Sequence, residues 1–119
     1  MPQKILIIDD EEGIRESLRL ILSDDYNLII TESGTQGLDC LVNDKNIGLV
    51  LLDIKMPKIN GLDVLKAIKE KRPDVNVIMV TGYKSVDTAA EATKLGASGY
   101  IVKPFKADEI LEAAERILK

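Results

Sequence analysis

The sequence predicts an α/β domain in which five parallel strands form one doubly wound sheet of order 2-1-3-4-5, a (βα)5 arrangement. Three observations carry this. Five short apolar runs alternate with five segments of helical periodicity. The runs are apolar almost throughout rather than alternating with polar residues, which suits strands covered on both faces. The length, 119 residues, is that of one domain (1–119) with a core large enough to need no disulfide. Strands joined through helices imply right-handed crossovers and helices on both faces, and 2-1-3-4-5 is a common order for five such strands.

The first strand is read from ILII (5–8), and the first helix from Ile14, Leu18, Ile21 and Leu22 on one face. LII (28–30) is the second strand. Leu38, Leu41 and Val42 mark the second helix, with Cys40 as core filler beside Leu41. LVLL (49–52) is the third strand, and Leu62, Leu65 and Ile68 form the third helical stripe between Gly61 and Pro73. VNVIMV (75–80), interrupted only by Asn76, is the fourth strand. A weaker stripe of Val86, Ala89, Ala90 and Thr93 follows, ended by Gly96. YIV (100–102) is the fifth strand, and Ile110, Leu111, Ala114, Ile117 and Leu118 give the fifth helix.

Composition removes several function classes. The net charge of -4 argues against a nucleic-acid surface. No run approaches the ~18 apolar residues of a membrane span, and Asp9 and Asp10 interrupt the first run too early for a signal peptide. A single cysteine allows no internal disulfide and fits a reducing, cytoplasmic setting. The absence of histidine excludes histidine-based triads and histidine-ligated zinc. A metal here would be held by oxygen, which suits Mg²⁺, Ca²⁺ or Mn²⁺.

In the predicted order the first and third strands are neighbours, and the chain reverses direction between them. Ligands of such sheets sit in that crevice, outside the carboxyl ends of the strands. Asp9-Asp10 end the first strand, Asp53 the third, Thr81-Gly82 the fourth and Lys103-Pro104 the fifth. Taken singly, each has a plainer reading. Asp9-Asp10 can favour the helix dipole and simply cap the first helix, Asp53 can open a loop, Thr81 is a good strand residue and Lys103 can be a surface lysine. Glu11 and Glu12 are read as solvated first-turn residues. Jointly, three carboxylates, a hydroxyl and an ammonium meet at one rim. The carboxylates would raise one another's pKa unless neutralised, and Mg²⁺ suits a few carboxylates plus phosphoryl oxygens. A carboxylate beside such an ion can attack phosphorus to give an acyl phosphate. Lys103, the Thr81 hydroxyl and a backbone N–H could share the charge of the phosphoryl oxygens.

The segments LIIDDEEGIRESL, LVLLDIKMPKINGLDVL and VIMVTGYKSVDTAAEATKLGASGYIVKPF closely resemble the response-regulator receiver domain of bacterial two-component and phosphorelay systems. The spaced motifs DD, DxxMPxxxG, TG and KPF occur in the family's order. The resemblance implies the flavodoxin-like receiver fold, with Asp53 as phosphoacceptor, Asp10 as a direct Mg²⁺ ligand and Asp9 acting partly through water. The Lys55 backbone carbonyl would complete the protein's ligands, and Mn²⁺ could substitute. Thr81 and Lys103 would hold phosphoryl oxygens, and the Lys103-Pro104 bond would be cis. Pro57 and Gly61 would shape the loop after Asp53. Tyr100 would turn inward as Thr81 moves, switching the face made by the fourth helix, fifth strand and fifth helix; a fixed, half-buried tyrosine with its hydroxyl in water is the alternative. Lys55 and Tyr83 would flank the path of the hydrolytic water and lengthen the life of the phosphorylated state, or be plain solvated loop residues.

The partners so implied are a histidine kinase or histidine-containing phosphotransfer protein and a downstream partner or output domain, with no nucleic acid and no membrane. Such a domain catalyses only its own phosphorylation and dephosphorylation. It is either stand-alone or cut from a longer regulator, and TGYKSVDTAAEA looks rather like receivers that precede transcription-activating ATPase domains. Other readings fit the residues less well. A phosphatase of the haloacid-dehalogenase type needs an acid two residues after the nucleophile, where Lys55 stands. A flavodoxin-like cofactor binder needs a phosphate-cradling loop where Asp-Asp-Glu-Glu stands. A P-loop motif is absent.

Overall fold

The computed structural model describes residues 4–56 and 58–118. The elements run β1 (Lys4–Ile8), α1 (Glu12–Leu22), β2 (Asn27–Thr31), α2 (Gly34–Asn43), β3 (Ile47–Leu52), β4 (Lys55–Met56), β5 (Ile59–Asn60), α3 (Gly61–Lys71), β6 (Asn76–Thr81), α4 (Val86–Lys94), β7 (Gly99–Val102) and α5 (Ala107–Leu118). The main sheet has the order β2-β1-β3-β6-β7, and every pairing in it is parallel. These are the five predicted strands in the predicted order. The short antiparallel hairpin β4-β5 is additional.

Alternate residues of each strand feed opposite cores. Leu6, Ile8, Val50, Leu52, Val77 and Met79 pack with Leu41 of α2, Val64, Leu65 and Ile68 of α3 and Ala92 of α4. Ile5, Ile7, Leu49, Leu51, Ile78 and Val80 pack with Leu18 and Leu22 of α1 and Ile110, Ala113 and Ala114 of α5. The two faces explain the unbroken apolar runs, because each residue of a central strand meets a helix on one side or the other. α2 lies close to β1 because Gly37 has no side chain; a Cβ there would run into Ile8.

Two helical stripes differ from expectation. Val42 points to solvent, and in α4 the inward residues are Ala89 and Ala92, followed by half-buried Leu95 at the C-cap, leaving Val86, Ala90 and Thr93 outside. Alanine and threonine carry too little apolar contrast to define a face, so a short helix rich in them can be read in the wrong rotation. Val64, missed in the third stripe, is fully buried. At the end of the sheet away from the strands' carboxyl termini, Arg72 donates to the carbonyls of Leu41, Asp44 and Ile47, tying α3 to the end of α2 and the start of β3. The same region carries the ion pair of Lys4 with Asp44 at 2.7 Å.

Candidate functional site

Parallel strands deliver whatever follows their last apolar residue to one rim, and the backbone ladder continues into the site itself. The Asp9 N–H donates to the Thr31 carbonyl, the Asp53 N–H to the Ile8 carbonyl and the Lys103 N–H to the Thr81 carbonyl. The strands therefore fix the Cα positions of Asp9, Asp53 and Lys103 relative to one another. Ligand oxygens of Asp9, Asp10 and Asp53 all lie within 4.8 Å of one another. Asp9 and Asp53 are buried, and Asp10 is the more open to water.

Lys103 occupies the centre of this cluster. Its ammonium donates to Asp9 Oδ2 at 2.9 Å, Glu11 Oε1 at 3.0 Å and Asp53 Oδ2 at 3.1 Å. Burial works against the charge of Lys103, but the hydrogen bonds with Asp9 and Glu11 and the fields of Asp9 and Asp53 outweigh it and raise its pKa. Lysine is thus held firmly cationic. Burial pushes the Asp9 carboxyl above its ordinary range, partly opposed by the Glu11 N–H and Lys103 and reinforced by the Asp53 charge. Three carboxylates, those of Asp9, Glu11 and Asp53, thus share a single ammonium, and a fourth, Asp10, stands beside Asp9 and Asp53. The donor set is all oxygen and electron-rich, which fits a hard divalent cation.

Backbone amides complete the carboxylates' partners. Asp9 Oδ1 accepts from the Glu11 N–H at 2.9 Å, and Asp53 Oδ1 accepts from the Lys55 N–H at 3.3 Å. Asp9 and Asp10 do not cap α1: its cap position is Glu11, with no side-chain capping bond. The β4-β5 hairpin folds back on the Asp53 segment through Gly61, whose N–H donates to the Ile54 carbonyl at 2.7 Å. A Cβ at Gly61 would collide with the Asp53 carbonyl and the Ile54 Cα, so the loop can close this tightly only on glycine. Pro57, expected to shape the same loop, lies outside the described residues.

Asp53 sits in an open cavity of about 270 Å³ lined also by Glu11, Lys55, Gly82, Tyr83 and Lys103. Lys55 and Tyr83 are both exposed at its wall. Thr81 does not line the cavity. Its side chain is fully buried at the end of β6, and its hydroxyl accepts weakly from the Tyr83 N–H at 3.4 Å. The half-buried Tyr100 hydroxyl donates to the Tyr83 carbonyl at 2.7 Å, so it bonds to the β6–α4 loop. Burial, then the Asp53 charge, raises its pKa. The Lys103-Pro104 peptide is cis.

The residue that sequence reasoning missed is Glu11. The sequence reads it as a solvated first-turn residue, yet its carboxylate holds Lys103. Its position directly after the Asp9-Asp10 pair was the available signal.

The geometry is matched by comparison with known proteins. The response regulator receiver domain family matches residues 5–115. Sporulation initiation phosphotransferase F of Bacillus subtilis is 38% identical, with 99% of this chain aligned to 95% of that protein. Response regulator MprA of Mycobacterium sp. is 32% identical over the whole chain, which spans only 52% of that regulator. Among solved structures, a CheY-like receiver domain protein from Methanospirillum hungatei has a TM-score of 0.92 at 34% identity, covering 99% of this chain and 94% of its own. NtrX from Brucella abortus has a TM-score of 0.89 at 37% identity, with 99% of this chain covering 27% of the longer protein. The sheet order, the aspartate cluster at its carboxyl rim and these relatives agree: the chain belongs to the response regulator receiver domain family, the signalling module of two-component systems.

Proposed function

We propose that residues 1–119 act as one receiver domain that takes a phosphoryl group onto Asp53 from a phosphohistidine on a histidine kinase or histidine-containing phosphotransfer protein. The chain has no histidine of its own to serve as donor. The observation that carries this reading is a buried carboxylate at an open cavity, with an ammonium 3.1 Å away and two further aspartates within a cation's reach. An Asp53 carboxylate oxygen attacks phosphorus, the bond from phosphorus to the imidazole nitrogen breaks, and its electron pair stays on the imidazole. Hydrolysis reverses the modification: water attacks phosphorus, the Asp53 oxygen leaves as carboxylate, and inorganic phosphate departs. Lys103 supports the negative phosphoryl oxygens, and the Thr81 hydroxyl, freed from the Tyr83 N–H, can reach toward another.

Receiver domains bind Mg²⁺ at an aspartate cluster of this kind. Here Asp10 and Asp53 would ligate it directly, Asp9 partly through water, with the Lys55 carbonyl alongside and Mn²⁺ as a possible substitute. Bound there, the ion would neutralise the crowded carboxylates and draw charge from a phosphoryl oxygen. The signal passes through the face of α4, β7 and α5 to a partner or output domain. Tyr100 supports this role, because its bond to the Tyr83 carbonyl links β7 to the loop that follows Thr81. No described helix is long and apolar enough to cross a membrane. The proposed role has the domain work in the cytoplasm and bind no nucleic acid itself.

Intact-mass measurement with Mg²⁺ and a small acyl-phosphate donor tests the reading. Wild type gains one phosphoryl group, Asp53→Asn gains none, and Asp10→Ala gains little. In the same assay the Lys55→Ala, Tyr83→Ala double variant loses its phosphoryl group faster than wild type, as expected if these side chains screen the bond from water. An adduct that survives in Asp53→Asn refutes the assignment.

A further inference from the structure

An ammonium has three N–H donors and no more. In Lys103 all three are engaged, by Asp9, Glu11 and Asp53. A phosphoryl group approaching Asp53, before any bond to it has formed, therefore finds no free donor on the residue that must support its oxygens. One carboxylate has to let go. The three differ in what release costs. The side chains of Asp9 and Asp53 are 3% and 4% exposed, so neither carboxylate can turn out into water when it lets go of Lys103. The Glu11 side chain is 60% exposed, and release returns its carboxylate to water. Its backbone is anchored beside the site by the N–H bond to Asp9 Oδ1, and it lines the same cavity as Asp53.

We propose that Glu11 is the displaceable partner of Lys103, a positioning residue that yields its hydrogen bond to the incoming phosphoryl oxygen and thereby sets the rate at which Asp53 is phosphorylated. This rests on the assignment of Asp53 and Lys103 above. Glu11 keeps the third donor of Lys103 satisfied while the site is empty, and slows adventitious transfer from small donors.

The test is the initial rate of adduct formation with Mg²⁺ and acetyl phosphate. Glu11→Ala, which removes the contact, is expected to react about fivefold faster, the effect of freeing one charge-assisted hydrogen bond partly compensated by water; Glu11→Gln, whose amide oxygen still accepts from Lys103 but without the negative charge, is expected to react about threefold faster. Glu12→Gln is the control for loss of one negative charge, since exposed Glu12 makes no bond to Lys103; its rate should stay within about 1.5-fold of wild type, as befits a screened surface charge. In a Lys103→Ala background, itself slow, Glu11→Gln should add nothing. Glu11 variants no faster than Glu12→Gln, slower than wild type, or still accelerated without Lys103, overturn the role of Glu11 while leaving Asp53 in place. No adduct in the wild type, or one that survives in Asp53→Asn, overturns the underlying assignment and this inference with it.

Discussion

Asp9 is 2% exposed, and burial raises its carboxyl above the ordinary value of 3.8 despite the hydrogen bonds from Glu11 and Lys103. A raised carboxyl pKa means that the folded state binds the proton more tightly than the unfolded chain. The destabilisation is therefore absent below 3.8, grows as pH rises through the folded pKa, and is complete above it. Asp9→Asn should make the metal-free protein more stable at neutral pH, by an amount on the order of 1 kcal/mol, and the gain should vanish in acid below 3.8. Urea unfolding of both proteins across pH 3 to 8 without divalent cations checks this; equal midpoints at neutral pH would contradict it. Such a gain would come with weaker Mg²⁺ binding, the usual conflict between a stable site and a working one. The positions of Asp9, Asp53 and Lys103 were legible in the sequence because each directly follows the apolar run of a strand, and Asp10 stands next to Asp9. Glu11 was not, because it lies beyond the strand end, at the start of α1, where its own neighbours offer no apolar pattern to place it.

Among the elements, the β4-β5 hairpin was invisible in advance: strands of two residues cannot display an alternation. Gly61, expected with Pro57 to shape the loop after Asp53, was the readable trace of it. Asn60 caps α3 by accepting from the Leu62 N–H at 2.7 Å, which fixes where the hairpin ends and the helix starts. Gly61 lets that junction press on the Asp53 backbone. Gly61→Ala is therefore expected to cost roughly 1–3 kcal/mol, the range for overpacking a tight contact, and to reduce phosphorylation of the fraction that still folds. Comparing adduct yield per folded molecule with the denaturation midpoint separates the two; an alanine variant with wild-type stability and yield would show that the contact is not tight. The face of α4 was misread for a different reason. Its inward surface is made of small residues, while its one large aliphatic side chain, Val86, is 82% exposed.

At the scale of the molecule, the site exists only when the sheet is closed. Lys103 and Asp9 are 94 residues apart in sequence, and their contact depends on β1, β3, β6 and β7 all being in register. A cation bound by the aspartate cluster would therefore favour the folded state over the unfolded one. At a concentration of a hundred times its dissociation constant, Mg²⁺ should add about 2.7 kcal/mol. Thermal unfolding with and without Mg²⁺ should show that shift in the wild type and largely lose it in Asp10→Ala. An identical shift in both proteins would place the ion elsewhere.

The bond between Tyr100 and the Tyr83 carbonyl has a practical corollary. The chain contains no tryptophan and three tyrosines, and two of those tyrosines stand beside the acidic cleft. Near-ultraviolet absorbance and circular dichroism of this protein are thus dominated by chromophores at its own reactive end, so the unlabelled molecule carries a built-in optical reporter of what happens there.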